Sequence, residues 1–128
     1  MSFPLASYGS KNVAAPEWKY AMLERAVRKN RNVWALYNGL PRLLSPHLLG
    51  SKAGELRLFS YQFGGKSKSG LHPPGSSDNF RCMRVRDLHD VVVFGGEWHT
   101  GGGGGKRQNC LDRIDVRHPQ WREEGEAA

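Results

Sequence analysis

Cysteines, long apolar runs and acidic side chains are all scarce in this chain of 128 residues. Its two cysteines are too few for a disulfide-stapled scaffold. No apolar run approaches the roughly 18 residues that a membrane-spanning helix needs. Residues 1–15 also lack the apolar centre of a signal peptide. These absences predict a cytoplasmic protein with no membrane partner, in which Cys82 and Cys110 are free thiols.

The charge of the chain is strongly biased toward cations. Lys and Arg number 19 against 12 Asp and Glu, which gives a formal net charge of +7 and an isoelectric point near 9.8. Such a charge favours polyanionic partners without specifying a fold. Hydrophobic residues make up 38% of the chain, and its mean hydropathy is −0.61. This composition supports one modest core and excludes a large multidomain enzyme.

The spacing of apolar residues predicts one helix followed by short strands. The helix is expected over about residues 17–30, with an apolar stripe that begins at Trp18 and Met22. Period-two segments follow, without the alternation of strands and helices that a parallel sheet requires. We therefore predict an α+β fold, mainly β, with a small bent sheet or barrel of five or six strands. A single domain over 16–117 would lie between a flexible arm, 1–15, and a flexible tail, 118–128.

The dipeptide Asn38-Gly39 lies between two apolar runs and predicts a tight hairpin. The return strand, about residues 40–49, contains Pro41 and Pro46. Proline lacks the N–H group that a central strand donates to its neighbour. The return strand is therefore predicted to lie at an edge of the sheet or to be bent.

Basic and aromatic side chains are predicted to share one outer face of this sheet. Period-two geometry puts Arg84 and Arg86 together on the side away from the core. Tyr61 lies on the preceding strand, and Lys66 and Lys68 follow in a long loop that could close over a ligand. Guanidinium groups bind phosphate bidentately, and aromatic rings stack on bases. A solvated basic face, with Tyr61 packed against the helix, explains the same residues equally well.

Motifs for catalysis and for metal binding are missing. The chain has no Gly-x-Ser-x-Gly elbow, no Walker loop and no His-Glu-x-x-His. The five glycines at 101–105 lack the Lys-Ser/Thr ending of a phosphate loop. Five histidines and two cysteines are scattered, without Cys-x-x-Cys or His-x-x-x-His spacing. We therefore expect no catalytic residue, no metal and no cofactor, and a protein that is not an enzyme.

Several segments resemble the WYL domain in their order and spacing. They are residues 24–27 (ERAV), 33–39 (VWALYNG), 42–50 (RLLSPHLLG), 56–58 (LRL) and 83–91 (MRVRDLHDV), with an inserted loop at 62–70 (QFGGKSKSG). The match covers roughly residues 22 to 94. Two positions depart from the family pattern: Arg57 replaces the central Tyr of the triplet, and Asp87 replaces the second Arg of the Arg-Leu-Asp-Arg block.

The resemblance implies a small SH3-like barrel that senses a ligand, usually nucleic acid or a nucleotide, in bacterial transcription regulation or phage defence. Combined with the basic face, it gives one predicted binding surface, made of Tyr37, Arg42, His47, Arg57, Tyr61, Lys66, Lys68, Arg84 and Arg86. The ligand would be single-stranded DNA, duplex DNA, RNA or a nucleotide, and the chain could form a homodimer.

A second hypothesis is a protein-interaction or dimerisation module of a bacterial or phage defence or regulatory assembly. It depends on apolar surface with no role in one small core, and the candidates are Trp34, Trp98 and Trp121. An enzyme is the third hypothesis, with no motif in its favour.

Overall fold

The structure is a computed structural model that describes residues 16–101 and 108–121. One helix and six strands follow in chain order: α1 (Glu17–Arg28), β1 (Asn32–Tyr37), β2 (Leu40–Lys52), β3 (Glu55–Gly65), β4 (Phe80–Arg84), β5 (Leu88–Phe94) and β6 (Arg113–Arg117). Two short 3₁₀ turns, Ser77–Asn79 and Val85–Asp87, precede and follow β4. The predicted α+β class, mainly β with a leading helix, is confirmed.

The strands form an antiparallel sheet in the order β4-β3-β2-β1-β5, and β6 adds to the second half of β2. The hairpin predicted at Asn38-Gly39 joins β1 to β2, and both residues have the positive φ that this turn requires. Among the described residues β4 and β5 do not pair with each other, so the sheet is open along this path. A closed barrel is therefore not part of the described fold.

Strand β2 is central, so the prediction that its prolines place it at an edge is wrong. Its first half pairs with β1 and β3, and its second half pairs with β3 and β6. The register with β3 shifts between Pro46 and Leu48, which is where a proline is tolerated inside a sheet. Pro41 uses its carbonyl oxygen to accept a hydrogen bond from the amide of Lys66 at 2.8 Å.

Helix α1 covers one face of the sheet through Leu23, Ala26 and Val27, which are fully buried in the larger core cluster. The buried stripe differs from the predicted one, because Trp18 is 56% exposed while Lys19 is only 6% exposed. The Lys19 ammonium donates to the carbonyl oxygen of Val85 at 3.0 Å. This bond ties the first turn of α1 to the 3₁₀ turn after β4.

The opposite face of the sheet is covered by a second cluster, which the sequence did not predict. We call it the aromatic layer; it consists of Leu48, Phe59, Phe80, Cys110, Leu111, Ile114 and Trp121, together with the stacked rings of His47, Trp98 and His118. At Gly50 a Cβ atom would overlap the carbonyl oxygen of Arg113, so only glycine allows β6 to approach β2 this closely.

A disulfide between Cys82 and Cys110 joins β4 to the aromatic layer, with the two Cα atoms 5.5 Å apart. The prediction of two free thiols is therefore wrong. The physical reason is non-local: the chain returns across the sheet 28 residues after Cys82 and brings Cys110 to it. Such bonds are rare in reducing compartments, so this one weighs against a cytoplasmic location.

The packed region continues beyond the predicted domain end at 117, because His118 and Trp121 are buried. The predicted arm, 1–15, and most of the predicted tail, 122–128, lie outside the described residues, as does 102–107. No helix in residues 16–101 or 108–121 is long and apolar enough to cross a membrane.

Candidate nucleic-acid interface

Three arginines converge on one carboxylate at the end of the sheet where β3 begins and β4 ends. Arg57 and Arg84 are direct cross-strand partners, and Arg86 follows in the 3₁₀ turn. Their guanidinium nitrogens lie 3.1, 3.3 and 3.7 Å from the carboxylate oxygens of Glu55. We call Arg57, Arg84 and Arg86 the arginine triad.

The alternation of β4 explains why two of these side chains point outward. Met83 and Val85 are buried in the larger core cluster, while Arg84 and Arg86 are exposed. The predicted orientation of this segment is therefore confirmed. The 3₁₀ turn Val85–Asp87 redirects the chain without burying Arg86, so both guanidinium groups stay on one side.

Counting the ion pairs of residues 16–101 and 108–121, the arginine triad keeps an excess of positive charge. Three guanidinium charges are offset by Glu55 and by Asp87, whose carboxylate is 4.0 Å from Arg86. The side chains of Arg84 and Arg86 are 49% and 44% exposed, so donor groups face solvent. Each guanidinium has five N–H donors, more than one shared carboxylate can accept. The remaining donors suit the oxygens of a phosphate group.

Tyr37 is the predicted aromatic residue that the structure brings to the arginine triad. Its hydroxyl group accepts a hydrogen bond from the backbone amide of Arg84 at 3.2 Å. Arg42 lies over the Tyr37 ring, with its guanidinium carbon 5.4 Å from the ring centre. The Tyr37 ring packs against the larger core cluster, so its contact with the arginine triad is to the backbone of Arg84 and not to a guanidinium group.

Arg42 itself is a structural residue in the described fold. It is 5% exposed and donates to the carbonyl oxygen of Tyr37 at 3.1 Å and to Gln62 Oε1 at 3.2 Å. Burial, followed by the nearby charge of Arg81, lowers the pKa of the guanidinium. The prediction that Arg42 lies on the binding surface is wrong, because its side chain is buried between Tyr37 and Gln62.

His47 is not part of this interface either, because it is buried in the aromatic layer. Its Nδ1–H donates to the carbonyl oxygen of Ser45 at 2.8 Å, and its Nε2 accepts from the hydroxyl of Thr100 at 3.1 Å. Burial lowers the pKa of His47 from 6.5 to about 3. The neutral ring has both nitrogens occupied and offers nothing to an anion.

Tyr61 is 2% exposed, so it does not present a ring to solvent as predicted. Its hydroxyl group accepts hydrogen bonds from the amide of Gly75 at 2.9 Å and from the side chain of Asn79 at 3.4 Å. These bonds pin the long loop after β3 to the sheet. Tyr61 also lines a small pocket of about 300 Å³ with Phe63 and His99, whose rings stack with their centres 4.0 Å apart.

Lys66 and Lys68 are exposed, and they follow the end of β3 opposite to the arginine triad. β3 begins at Glu55, and at about 3.3 Å per residue the separation between its ends is on the order of 30 Å. In the described part of the chain no ion pair joins either ammonium group to the interface. The structure therefore leaves both lysines away from the arginine triad.

Glu55 is the functional residue that sequence reasoning missed. It lies two residues before Arg57, so both side chains are on one face of β3, and the spacing alone could have identified the pair. The convergence of the two further arginines depends on the pairing of β3 with β4. Across residues 16–101 and 108–121, no group of three or more His, Cys, Asp or Glu could hold a metal ion.

Comparisons of this chain with protein-family models, with curated proteins and with solved structures find no match.

Proposed function

We propose that this chain is a non-enzymatic domain that binds nucleic acid or a nucleotide through phosphate groups at the arginine triad. The convergence of Arg57, Arg84 and Arg86 on Glu55 carries the proposal, since this carboxylate occupies the position that phosphate oxygens would take. The net charge of +7 supports it, because it attracts polyanions over a longer range.

We also propose that the domain is WYL-like and that its sheet corresponds to an SH3-like barrel. Strand β1 pairs with both β2 and β5, and the long β2 contributes to two parts of the sheet. A 3₁₀ turn separates β4 from β5. These features support the likeness of the sheet to such a barrel, and the proposal assigns the domain a ligand-sensing role in bacterial regulation or phage defence. A cytoplasmic location belongs to the same proposal, and the Cys82–Cys110 bond argues against that part of it.

The test is the double substitution Arg84→Ala/Arg86→Ala, assayed by gel shift with single-stranded DNA, duplex DNA and RNA at two salt concentrations. Charge-assisted contacts to phosphate contribute about 1.5–3 kcal/mol each, so affinity should fall about tenfold or more. Unfolding should be unchanged within about 1 kcal/mol, because both side chains are exposed and exposed ion pairs contribute little.

The matched control is Arg113→Ala, because this side chain is 78% exposed and pairs with Asp115 on β6. We expect the control to bind nearly as tightly as the parent. If the double variant also binds like the parent, the arginine triad is a solvated surface and the proposal is wrong.

A protein-interaction or dimerisation module is the second candidate function. Trp121 and Trp98 do not support it, because they pack in the aromatic layer. Val92, 52% exposed and paired across strands with the half-buried Trp34, is the observation in its favour. Sedimentation over a range of concentrations separates the functions: a salt-insensitive dimer lost in Trp34→Ser would favour the module.

A further inference from the structure

Three basic side chains line a groove between α1 and β5. It is lined by Met22, Arg25, Lys29, Arg31 and Val93 and has a volume of about 440 Å³. Arg25, Lys29 and Arg31 are exposed, and the ion pairs among residues 16–101 and 108–121 include none of them. Met22 and Val93 give the groove a partly apolar floor.

On α1, the basic residues that line the groove and the acidic residues lie on different sides of the helix. Trp18, Met22, Arg25 and Lys29 follow a spacing of four, three and four residues and therefore lie in one stripe along the helix. The acidic residues of the helix are elsewhere. Glu24 pairs with Arg28 at 3.2 Å, and Glu17 lines a different groove beside β6.

The three basic side chains of the groove are not all explained by a stabilising effect on the C-terminal end of α1. Basic side chains in the last turn of a helix interact favourably with its dipole, which explains Arg25. Arg31 lies beyond the end of α1, and its guanidinium group packs against Gly95 after β5. A Cβ atom at Gly95 would lie 3.4 Å from this guanidinium, so the Arg31 side chain reaches from the end of α1 to the end of β5.

The groove lies at the C-terminal end of α1, and the 3₁₀ turn that carries Arg86 lies beside its first turn. Arg57 and Arg84 are on the opposite face of the sheet from α1, since they share the face of Phe59 and Cys82 on their strands. The bond from the Lys19 ammonium to the carbonyl oxygen of Val85 holds the first turn of the helix beside Arg86. From Lys19 to Lys29 the helix rises about 15 Å, at ~1.5 Å per residue. Trp18, which is 56% exposed, begins the stripe in the first turn of α1.

We propose that the groove binds phosphates of a single-stranded nucleic acid whose other phosphates contact the arginine triad. The inference rests on the proposed function and narrows its ligand, because a mononucleotide is too short to reach both clusters. A single strand is flexible enough to follow the helix and to stack a base on the exposed ring of Trp18.

The test compares two double variants that remove the same charge. Lys29→Gln/Arg31→Gln changes the groove, and Arg28→Gln/Arg113→Gln removes two arginines outside it, each paired with an acidic neighbour. Binding of fluorescent oligothymidylates of about 3 and about 12 nucleotides is measured by anisotropy, lengths that bracket the lower range of single-strand sites. Thermal unfolding checks that both variants fold.

We expect the groove variant to lose tenfold or more in affinity for the longer oligonucleotide, and the control to lose less than threefold. Neither variant should change binding of the shorter oligonucleotide by more than about twofold. Trp18→Ala should weaken binding of the longer oligonucleotide about fivefold, in line with the loss of one stacked base. Equal losses in the two double variants would overturn the inference, as would equal affinity of the parent for both lengths.

Two further outcomes separate this inference from the proposed function. If Arg84→Ala/Arg86→Ala weakens binding while the groove variant binds like the parent, the proposed function stands and the groove carries no phosphate. If the parent binds neither oligonucleotide but binds duplex DNA or RNA, the inference is wrong and the proposed function stands. Tighter binding to a duplex of the same length would overturn the assignment to a single strand.

Discussion

The aromatic layer and the arginine triad each contain residues that the sequence predicted for one binding surface, but the fold treats them in opposite ways. In the aromatic layer the imidazole of His47 is buried and hydrogen-bonded at both nitrogens. In the arginine triad three guanidinium groups share one carboxylate and stay partly exposed. The comparison teaches that a binding residue is recognised by its remaining hydrogen-bonding capacity and charge, because His47 and the three arginines were predicted for the same surface and only the arginines keep both.

The aromatic layer is held by stacking as well as by its disulfide. Trp98 lies between His47 and His118, with ring centres 4.2 and 3.7 Å apart. Burial lowers the pKa of His47 to about 3 and of His118 to about 4. Both rings are therefore neutral at pH 7 and contribute packing without positive charge.

Among the changes to the aromatic layer, removal of the disulfide should lower the stability of the protein most. The bond closes a loop with a sequence separation of 28 residues, for which chain entropy predicts a stabilisation of about 3–4 kcal/mol. Cys82→Ser/Cys110→Ser should lower the free energy of unfolding in urea by this amount. Nucleic-acid affinity of the variant that remains folded should change less than threefold, since the guanidinium groups of the arginine triad are held by Glu55, which the substitutions leave in place.

The disulfide can also be detected by counting free thiols. Thiol titration of the denatured, unreduced protein should find no free thiol, and reduction should then expose two. Two free thiols before reduction would contradict the pairing.

Acid should destabilise the aromatic layer through its two histidines. In the unfolded chain they titrate near 6.5, whereas in the folded protein their pKa values are about 3 and 4. Between those values the unfolded state binds more protons, so stability falls as the pH falls. At pH 5.5 the loss relative to pH 7 should reach about 1.2 kcal/mol for each histidine, or ~2–2.5 kcal/mol in total.

Urea unfolding of His47→Gln at pH 7 and pH 5.5 measures this effect. The free energy of unfolding of the variant should change with pH about half as much as that of the parent. The variant should be less stable than the parent at both pH values. The control His89→Gln removes an exposed histidine and should keep the full dependence. Equal pH dependence in the parent and in His47→Gln would show that the ring is charged when folded.

Glu55→Gln should change nucleic-acid affinity less than Arg84→Ala/Arg86→Ala does, and it should raise the affinity where that double substitution lowers it. Removing the shared carboxylate frees guanidinium donors and raises the local charge by one, so polyanion affinity should rise about two- to fivefold. Anisotropy at constant salt measures the change. Weaker binding than the parent would mean that Glu55 orients the arginines for the ligand rather than competing with it.

Local patterns predicted the parts of the fold that depend on near neighbours. The hairpin at Asn38-Gly39 and the outward direction of Arg84 follow from turn chemistry and from the period of a strand, and both are confirmed. Helix α1 was predicted within two residues at its end, but its buried face includes Lys19 in place of Trp18. A lysine reaching a carbonyl oxygen 66 residues away leaves no trace in local periodicity.

The aromatic layer could not be predicted because it depends on chain segments far apart in sequence. Whether Tyr61 faces solvent depends on the loop and the segment that cross its side of β3, not on the alternation within the strand. His47 is paired with Thr100, 53 residues later, and Cys82 with Cys110. The outward direction of Arg84 and Arg86 needed only the pattern of β4, which is why that part of the candidate site was found.

The salt dependence of binding tests the central role of the arginine triad most directly. The slope of log affinity against log salt counts the phosphates neutralised, at about −0.7 per contact for a single strand. Arg84→Ala/Arg86→Ala should make this slope shallower by up to about 1.4, whereas Arg113→Ala should leave it unchanged. Identical slopes for the parent and the double variant would contradict phosphate binding at the arginine triad.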